Sequence, residues 1–306
     1  MQASPVLFDA DRSLAKALDR IDAAARDRAQ LVVFPEAFLS GYPKLLDFGA
    51  VVGRRTPEGR TVFRRYFESA IDVPGPATDA LGNLCRDRGV HLVIGVIERD
   101  GGTLYCTALF FSAQGALIGK HRKVMPTGME RLIWGFGDGS TLDVFDTPLG
   151  KIGAVICWEN YMPLLRTNMY AQGVELYCAP TVDDRLTWTS SMQHIAFEGR
   201  CFVLSAVQYL TRADYPEDLA PVASGPIIGG GSVIVNPQGQ ILAGPNREGD
   251  CILSADLNLD EIVEGKYDLD VVGHYGRPDI FQLSVDRRPR ASVKFHGTTI
   301  VPFAST

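Results

Sequence analysis

Apolar residues recur along SLAKALDRIDAAARDRAQ at Leu14, Leu18, Ile21 and Ala25, a spacing that lines one face of a helix. Ser13 is its expected cap. The run LVVFPE that follows is continuous rather than alternating, as in a short buried strand. Downstream, TDALGNLCRDRG predicts a second helix and HLVIGVIERD a strand, which turns at Asp100-Gly101-Gly102 into TLYCTALFFSAQG. KIGAVIC, VELYCAP and CFVLSAVQYL read as strands, separated by helices in PLLRTNMYAQG and TSSMQHIAFEGR. GGSVIVNPQGQIL, turning at Asn236-Pro237-Gln238-Gly239, and DCILSADLN complete the pattern as a hairpin. Helix-strand alternation mixed with hairpins predicts an α/β layered sandwich.

Two stretches lack periodicity. TRADYPEDLAPVASG, from Thr211 to Gly225, combines proline with charge and reads as a surface loop. PTGMERLIWGFGDGS carries Ile133 and Trp134 among four glycines, so it is expected to be an ordered loop packed around a pocket.

With 306 residues, no internal repeat and no linker, the chain fits one large domain. Hydrophobic residues make up 46% and charged residues 22%, which excludes disordered and low-complexity classes. The net charge of −6 and the scattered basic residues argue against a nucleic-acid partner. No apolar run approaches the roughly 20 residues of a membrane span, and no basic-then-apolar leader precedes the first helix. A cytoplasmic protein that does not engage membranes is expected. Cys85, Cys106, Cys157, Cys178, Cys201 and Cys251 lie far apart, which suits reduced thiols.

Three strand ends carry chemistry. AVICWEN places Cys157 after a β-branched run, FPEAF places Glu36 after a ladder-breaking proline, and HRKVMPT places Lys123 after a third strand. A thiol at such a bend projects as nucleophiles do, and needs a base or an ammonium to become thiolate. Each residue alone has an ordinary reading as core cysteine or loop charge. The histidines His91, His121, His194, His274 and His296 show no metal-ligand spacing. Gly229-Gly230-Gly231 lacks the lysine of a phosphate loop, Asp183-Asp184 reads as a capped turn, and no G-x-S-x-G elbow is present.

Together these stretches resemble the nitrilase superfamily over nearly the whole chain, from QASPV to GHYGRPDIFQL. Cys-Trp-Glu at the nucleophile and the PTGMER loop look like the nitrilase branch proper. The resemblance implies a four-layer αββα sandwich and a Glu36-Lys123-Cys157 triad that attacks an organic nitrile. A thioimidate and then a thioester would yield the carboxylic acid and ammonia, with no metal or organic cofactor. Glu130 matches a second glutamate expected beside Lys123. Tyr42, Thr127, Trp134, Trp158, Thr181 and Trp188 map to pocket walls, where aromatic lining would suit aryl, arylalkyl or medium aliphatic nitriles. A small amino nitrile stays open as substrate.

The resemblance also implies a homodimer or larger homo-oligomer, with about 265–306 as a C-terminal extension toward subunit contacts. The first strand of the sandwich is expected to be cut short at Met1. Three alternatives stand beside this reading: an amide-hydrolysing member of the superfamily, a nitrilase forming substantial amide, and a non-catalytic relative. The intact Glu36, Lys123 and Cys157 argue against the last.

Overall fold

Strands that are apolar on both faces need cover on both sides, and the chain supplies it by alternating helices with strands. The computed structural model describes residues 1–291 and 293. In the first sheet, β1 (Leu31–Val33), β2 (Ile71–Asp72), β3 (His91–Asp100), β4 (Thr103–Phe111) and β5 (Leu117–Arg122) run in the order β1-β3-β4-β5. Strand β2 pairs with the far end of the same edge of β3 that β1 occupies. The second sheet holds β6 (Val144–Thr147), β7 (Gly150–Ala154), β8 (Leu176–Cys178), β9 (Phe202–Ser205), β10 (Ser232–Val235) and β11 (Ile241–Asn246), ordered β11-β10-β9-β8-β7-β6. Its central strands β7, β8 and β9 are parallel, as helical crossovers require.

The helices are α1 (Ala10–Arg26), α2 (Pro57–Glu68), α3 (Pro76–Arg88), α4 (Pro163–Ala171), α5 (Leu186–Gly199) and α6 (Asp260–Asp268). The period-two alternation of strand side chains divides the core. Val93, Ile97, Ala108 and Phe110 of the first sheet face the second, where Phe145, paired with Ile152, lies 4.7 Å from Phe110. On the other face of the first sheet, Leu92, Ile94, Leu109 and Phe111 meet Ala17, Ile21, Leu81 and Cys85 of α1 and α3. Tyr170 of α4 and Met192 and Ile195 of α5 cover the second sheet. The result is the αββα sandwich. Among the described residues, no helix is long and apolar enough to cross a membrane.

Several elements differ from the pattern-based expectation. Asp9 rather than Ser13 caps α1, its carboxylate accepting the Arg12 N–H at 2.9 Å. Ser13 lies inside the helix because its hydroxyl has another task, accepting from the Val6 N–H and donating to the Val6 carbonyl. Helices α2 and α6 were not expected at all. Among the described residues DCILSADLN forms no second ladder: Cys251 makes one antiparallel bridge to Gln2. Of the stretch 265–306, α6 ends at Asp268 and 269–291 hold no helix or strand, while 292 and 294–306 lie outside the described residues.

Candidate active site

The three strand ends meet where the two sheets face each other. After β1, the Phe34 N–H still bonds the Val93 carbonyl, but Pro35 has no N–H to continue the ladder. The chain arches over β3, with Ala37 at a φ of 52°, and rejoins where the Phe38 and Leu39 N–H groups share the Gly95 carbonyl at 2.7 and 3.2 Å. Gly95 is required by that approach: a Cβ there would lie 2.3 Å from the Pro35 carbonyl oxygen and 2.6 Å from the Glu36 Cα. The arch turns Glu36 into the space between the sheets, fully buried. From the segment after β9, Gln208 donates its side-chain amide to the Glu36 carbonyl at 2.7 Å.

Lys123 follows β5 directly and is held by its N–H on the Cys106 carbonyl and its carbonyl on the Gly137 N–H. Its ammonium bonds Glu36 Oε1 at 2.6 Å and Glu130 Oε2 at 2.8 Å, with the Trp134 ring centroid 5.7 Å away. The Glu130 carboxylate is itself pinned, accepting from the Thr127 N–H at 2.6 Å and from the Tyr42 hydroxyl at 2.8 Å. With three donors on it, Glu130 holds the ammonium rather than working as a free base.

Cys157 sits three residues beyond the paired end of β7, at a φ of 50°. A non-glycine residue in the left-handed region is costly and persists only where its surroundings fix it. Here the Cys157 N–H is bound to the Pro180 carbonyl, and the Asn160 amide donates to both the Val155 and Cys157 carbonyls. Tyr177 in turn donates to Asn160 Oδ1 at 2.9 Å. The strained turn leaves Cys157 only 4% exposed, with its sulfur 3.1 Å from the Thr181 hydroxyl.

Burial decides the charge states. It raises the Glu36 carboxyl to about 6; the Lys123 charge pulls the value down and Glu130 pushes it up. Burial alone would discharge Lys123, but Glu36, Cys157 and Glu130 outweigh it and keep the ammonium protonated. Burial, reinforced by Glu36 and opposed by Lys123, pushes the Cys157 thiol up. The resting sulfur is therefore a thiol that must lose its proton as it attacks. Glu36 Oε2 is buried with no hydrogen-bond partner among the described residues, so it has a free lone pair for that proton.

The pocket residues expected from the sequence divide. Tyr42 and Trp134 pack edge to face, 5.6 Å apart, beside the Glu130–Lys123 pair. Thr127 contributes its backbone N–H, and Thr181 its hydroxyl. Trp158 is 42% exposed, with its indole N–H on Asp183 at 2.9 Å and the Arg185 guanidinium over its ring. Trp188 corrects the expectation. It is 1% exposed and donates to Ser205, which makes it core behind Tyr161 rather than wall. Asp183 does form a turn, its carboxylate accepting the Arg185 N–H.

Other parts of the framework were not expected. Glu159 of CWEN is buried and accepts from the Ile156 N–H at 2.9 Å and the Val124 N–H at 2.6 Å, so one carboxylate spans the segments carrying Cys157 and Lys123. His121 lies between Glu159 Oε2 and the Thr141 carbonyl, an oxygen at each ring nitrogen. Cys106 points its thiol at Glu36 Oε1 from 3.5 Å. The sequence signal was a polar side chain two positions from Cys157 (Glu159) or from Lys123 (His121); Cys106 carried none.

The model of the carbon-nitrogen hydrolase family matches residues 1–267. An aliphatic nitrilase of Sinorhizobium fredii is 56% identical over 96% of this chain and 96% of its own. A bifunctional nitrilase/nitrile hydratase of Nicotiana tabacum is also 56% identical, over 98% of this chain and 88% of its own. Among solved structures, a Saccharomyces cerevisiae member of branch 10 of the nitrilase superfamily shares the fold with a TM-score of 0.69 at 24% identity, covering 90% of this chain and 93% of its own. By family model, by relatives of more than half identity and by fold, the chain belongs to the carbon-nitrogen hydrolase family, in its nitrilase branch.

Proposed function

We propose that the protein hydrolyses a small organic nitrile to the carboxylic acid and ammonia, with Cys157 as nucleophile, Glu36 as general base and Lys123 as proton donor and charge stabiliser. The observation that carries this reading is the buried ammonium of Lys123 bridging Glu36 and Glu130 while Glu36 Oε2 stays free. The nitrile as substrate is supported by the activities named for the relatives above.

The steps follow from the charge states. Sulfur adds to the nitrile carbon as its proton passes to Glu36 and on to nitrogen, giving the thioimidate. Negative charge developing on nitrogen is met by the Lys123 ammonium. Glu36 next takes a proton from water, which adds to the same carbon; the C–N bond breaks, ammonia leaves and a thioester remains. A second water, activated in the same way, releases the acid and restores the thiol. Tyr42 and Thr127 hold Glu130, and through it Lys123, in place for each proton transfer. Trp158, exposed beside the turn, is the aromatic wall open to substrate.

The reading takes the protein as cytoplasmic and as a homodimer or larger. Exposed Val263 and Tyr267 on α6 support a subunit contact, which would cover them. The test is incubation with aliphatic, arylalkyl, aromatic and amino nitriles and their amides, with ammonia and acid quantified. Acid from nitriles, lost in Cys157→Ala at an unchanged melting temperature, is the expected result. Turnover of amides alone would overturn it.

A further inference from the structure

The sheets divide the chemistry: the first brings Glu36, Lys123 and Glu130, the second brings Cys157 and Thr181. Thr181 follows β8, and its backbone is fixed by its N–H on the Ala206 carbonyl at 2.9 Å and by a parallel bridge to Val207. Its side chain is fully buried. A threonine hydroxyl has one donor and two acceptor sites. Here an acceptor site is taken by the Asp183 N–H at 2.9 Å, and the donor points at Cys157 Sγ from 3.1 Å. The Asp183 end is locked too, since its carboxylate takes Arg185 Nε at 2.8 Å and the Trp158 indole N–H at 2.9 Å. An O–H that already accepts a hydrogen bond is polarised and is a stronger donor.

The surroundings give that donor its importance. One ammonium faces two carboxylates in the buried cluster, so a thiolate forming beside it meets an excess of negative charge. The Thr181 hydroxyl meets the sulfur without adding charge.

We propose that the Thr181 hydroxyl is a catalytic donor to the Cys157 thiolate, acting when sulfur attacks and again when it leaves, and that it thereby sets how much nitrile is released as amide. The inference rests on the nitrilase reading above. Once water has added to the thioimidate, the carbon carries OH, NH2 and S. If nitrogen takes a proton and the C–N bond breaks, ammonia leaves and the thioester proceeds to acid. If the C–S bond breaks instead, its electron pair stays on sulfur, the OH proton passes to Glu36 and then to the thiolate, and the amide departs with the thiol restored. Donation to sulfur favours the second path; protonation of nitrogen favours the first.

Two donor-less variants, Thr181→Val and Thr181→Ala, are compared with Thr181→Ser, which keeps the hydroxyl. The first readout is the rate of Cys157 alkylation by iodoacetamide at fixed pH, followed on the Cys157 peptide by mass spectrometry. A charge-assisted hydrogen bond of ordinary strength predicts a loss of roughly tenfold in Val and Ala, recovered in Ser. The second readout is the amide share of total product from one nitrile, expected to fall severalfold in Val and Ala and to return in Ser. Alkylation of both donor-less variants within twofold of wild type, or an unchanged amide share, overturns the proposal. A wild type that releases acid with no amide overturns its leaving-group half. A wild type that leaves every nitrile untouched overturns the nitrilase reading, while the alkylation rates still decide whether Thr181 stabilises the thiolate.

Discussion

Glu36 and Glu98 are two buried glutamates of the first sheet, and their surroundings give them opposite properties. Glu98, on β3, has both oxygens occupied: Lys120 and Arg122 reach Oε1 at 2.5 and 2.6 Å, and Arg122 and Thr107 reach Oε2 at 2.9 Å each. Burial would raise its pKa, but the hydrogen bonds from Arg122 and Lys120 outweigh it and hold the carboxyl below the usual range. Glu36 shares a single ammonium with Glu130, keeps one oxygen unpartnered and rises to about 6. Burial is common to both. What separates a structural carboxylate from a base is the number of cations on it and whether a lone pair is left free.

The comparison breaks most sharply at Glu36→Gln, which keeps the shape and removes the base. Turnover should fall by about 10³, within the usual span for general-base loss, at a melting temperature near that of wild type. Ammonia release beside a thermal scan checks it, and a loss under tenfold would remove Glu36 as the base. Next in size is the acid limb of kcat/KM. Glu36 must be ionised to accept a proton, so the rate is full above about pH 6 and falls about tenfold per unit below it. A limb near 4, where an ordinary glutamate titrates, would contradict the burial argument.

Gly95→Ala tests the arch. The added Cβ displaces the backbone carrying Glu36, at a cost of about 1–3 kcal/mol in stability and a drop in activity larger than that destabilisation explains. Chemical denaturation and kinetics on the same sample separate the two. Glu98→Gln sharpens the contrast from the other side: about 2–4 kcal/mol of stability lost at neutral pH with turnover within a few-fold of wild type. The sign is fixed by its lowered pKa: the Glu98 contribution is present above the ordinary carboxylate value and disappears as pH falls through the lowered one. The deficit of the variant should therefore shrink in acid.

Sequence pattern made β3 legible, because the uninterrupted apolar run from Leu92 to Ile97 lies between a helix and a glycine turn. The proposed nucleophile, base and lysine stood out in the sequence because each closely follows a strand. Helix α2 was not, since Phe63, Tyr66 and Phe67 are spaced among three arginines and two glutamates. Its start is set by Thr56 capping the Gly59 N–H and by Pro57 in the first turn. Helix α6 buries only Ile262 and Gly265 and so leaves little periodicity to detect. In the site, Glu159, His121 and Gln208 escaped notice because their partners lie far along the chain: Gln208 reaches Glu36 across 172 positions. Trp188 was misplaced for a related reason, since an indole suits a core or a cavity wall equally, and Ser205 decides between them.

The burial of Lys123 between two carboxylates has a practical consequence for handling the protein. Amine-directed coupling to aldehyde or activated-ester resins proceeds through exposed, unprotonated amines, and Lys151 on β7 offers its side chain to solvent while Lys123 is sealed and held as ammonium. Immobilisation through lysines should leave the reactive centre unmodified, so the bound enzyme would be limited by diffusion through the support rather than by damage to its chemistry.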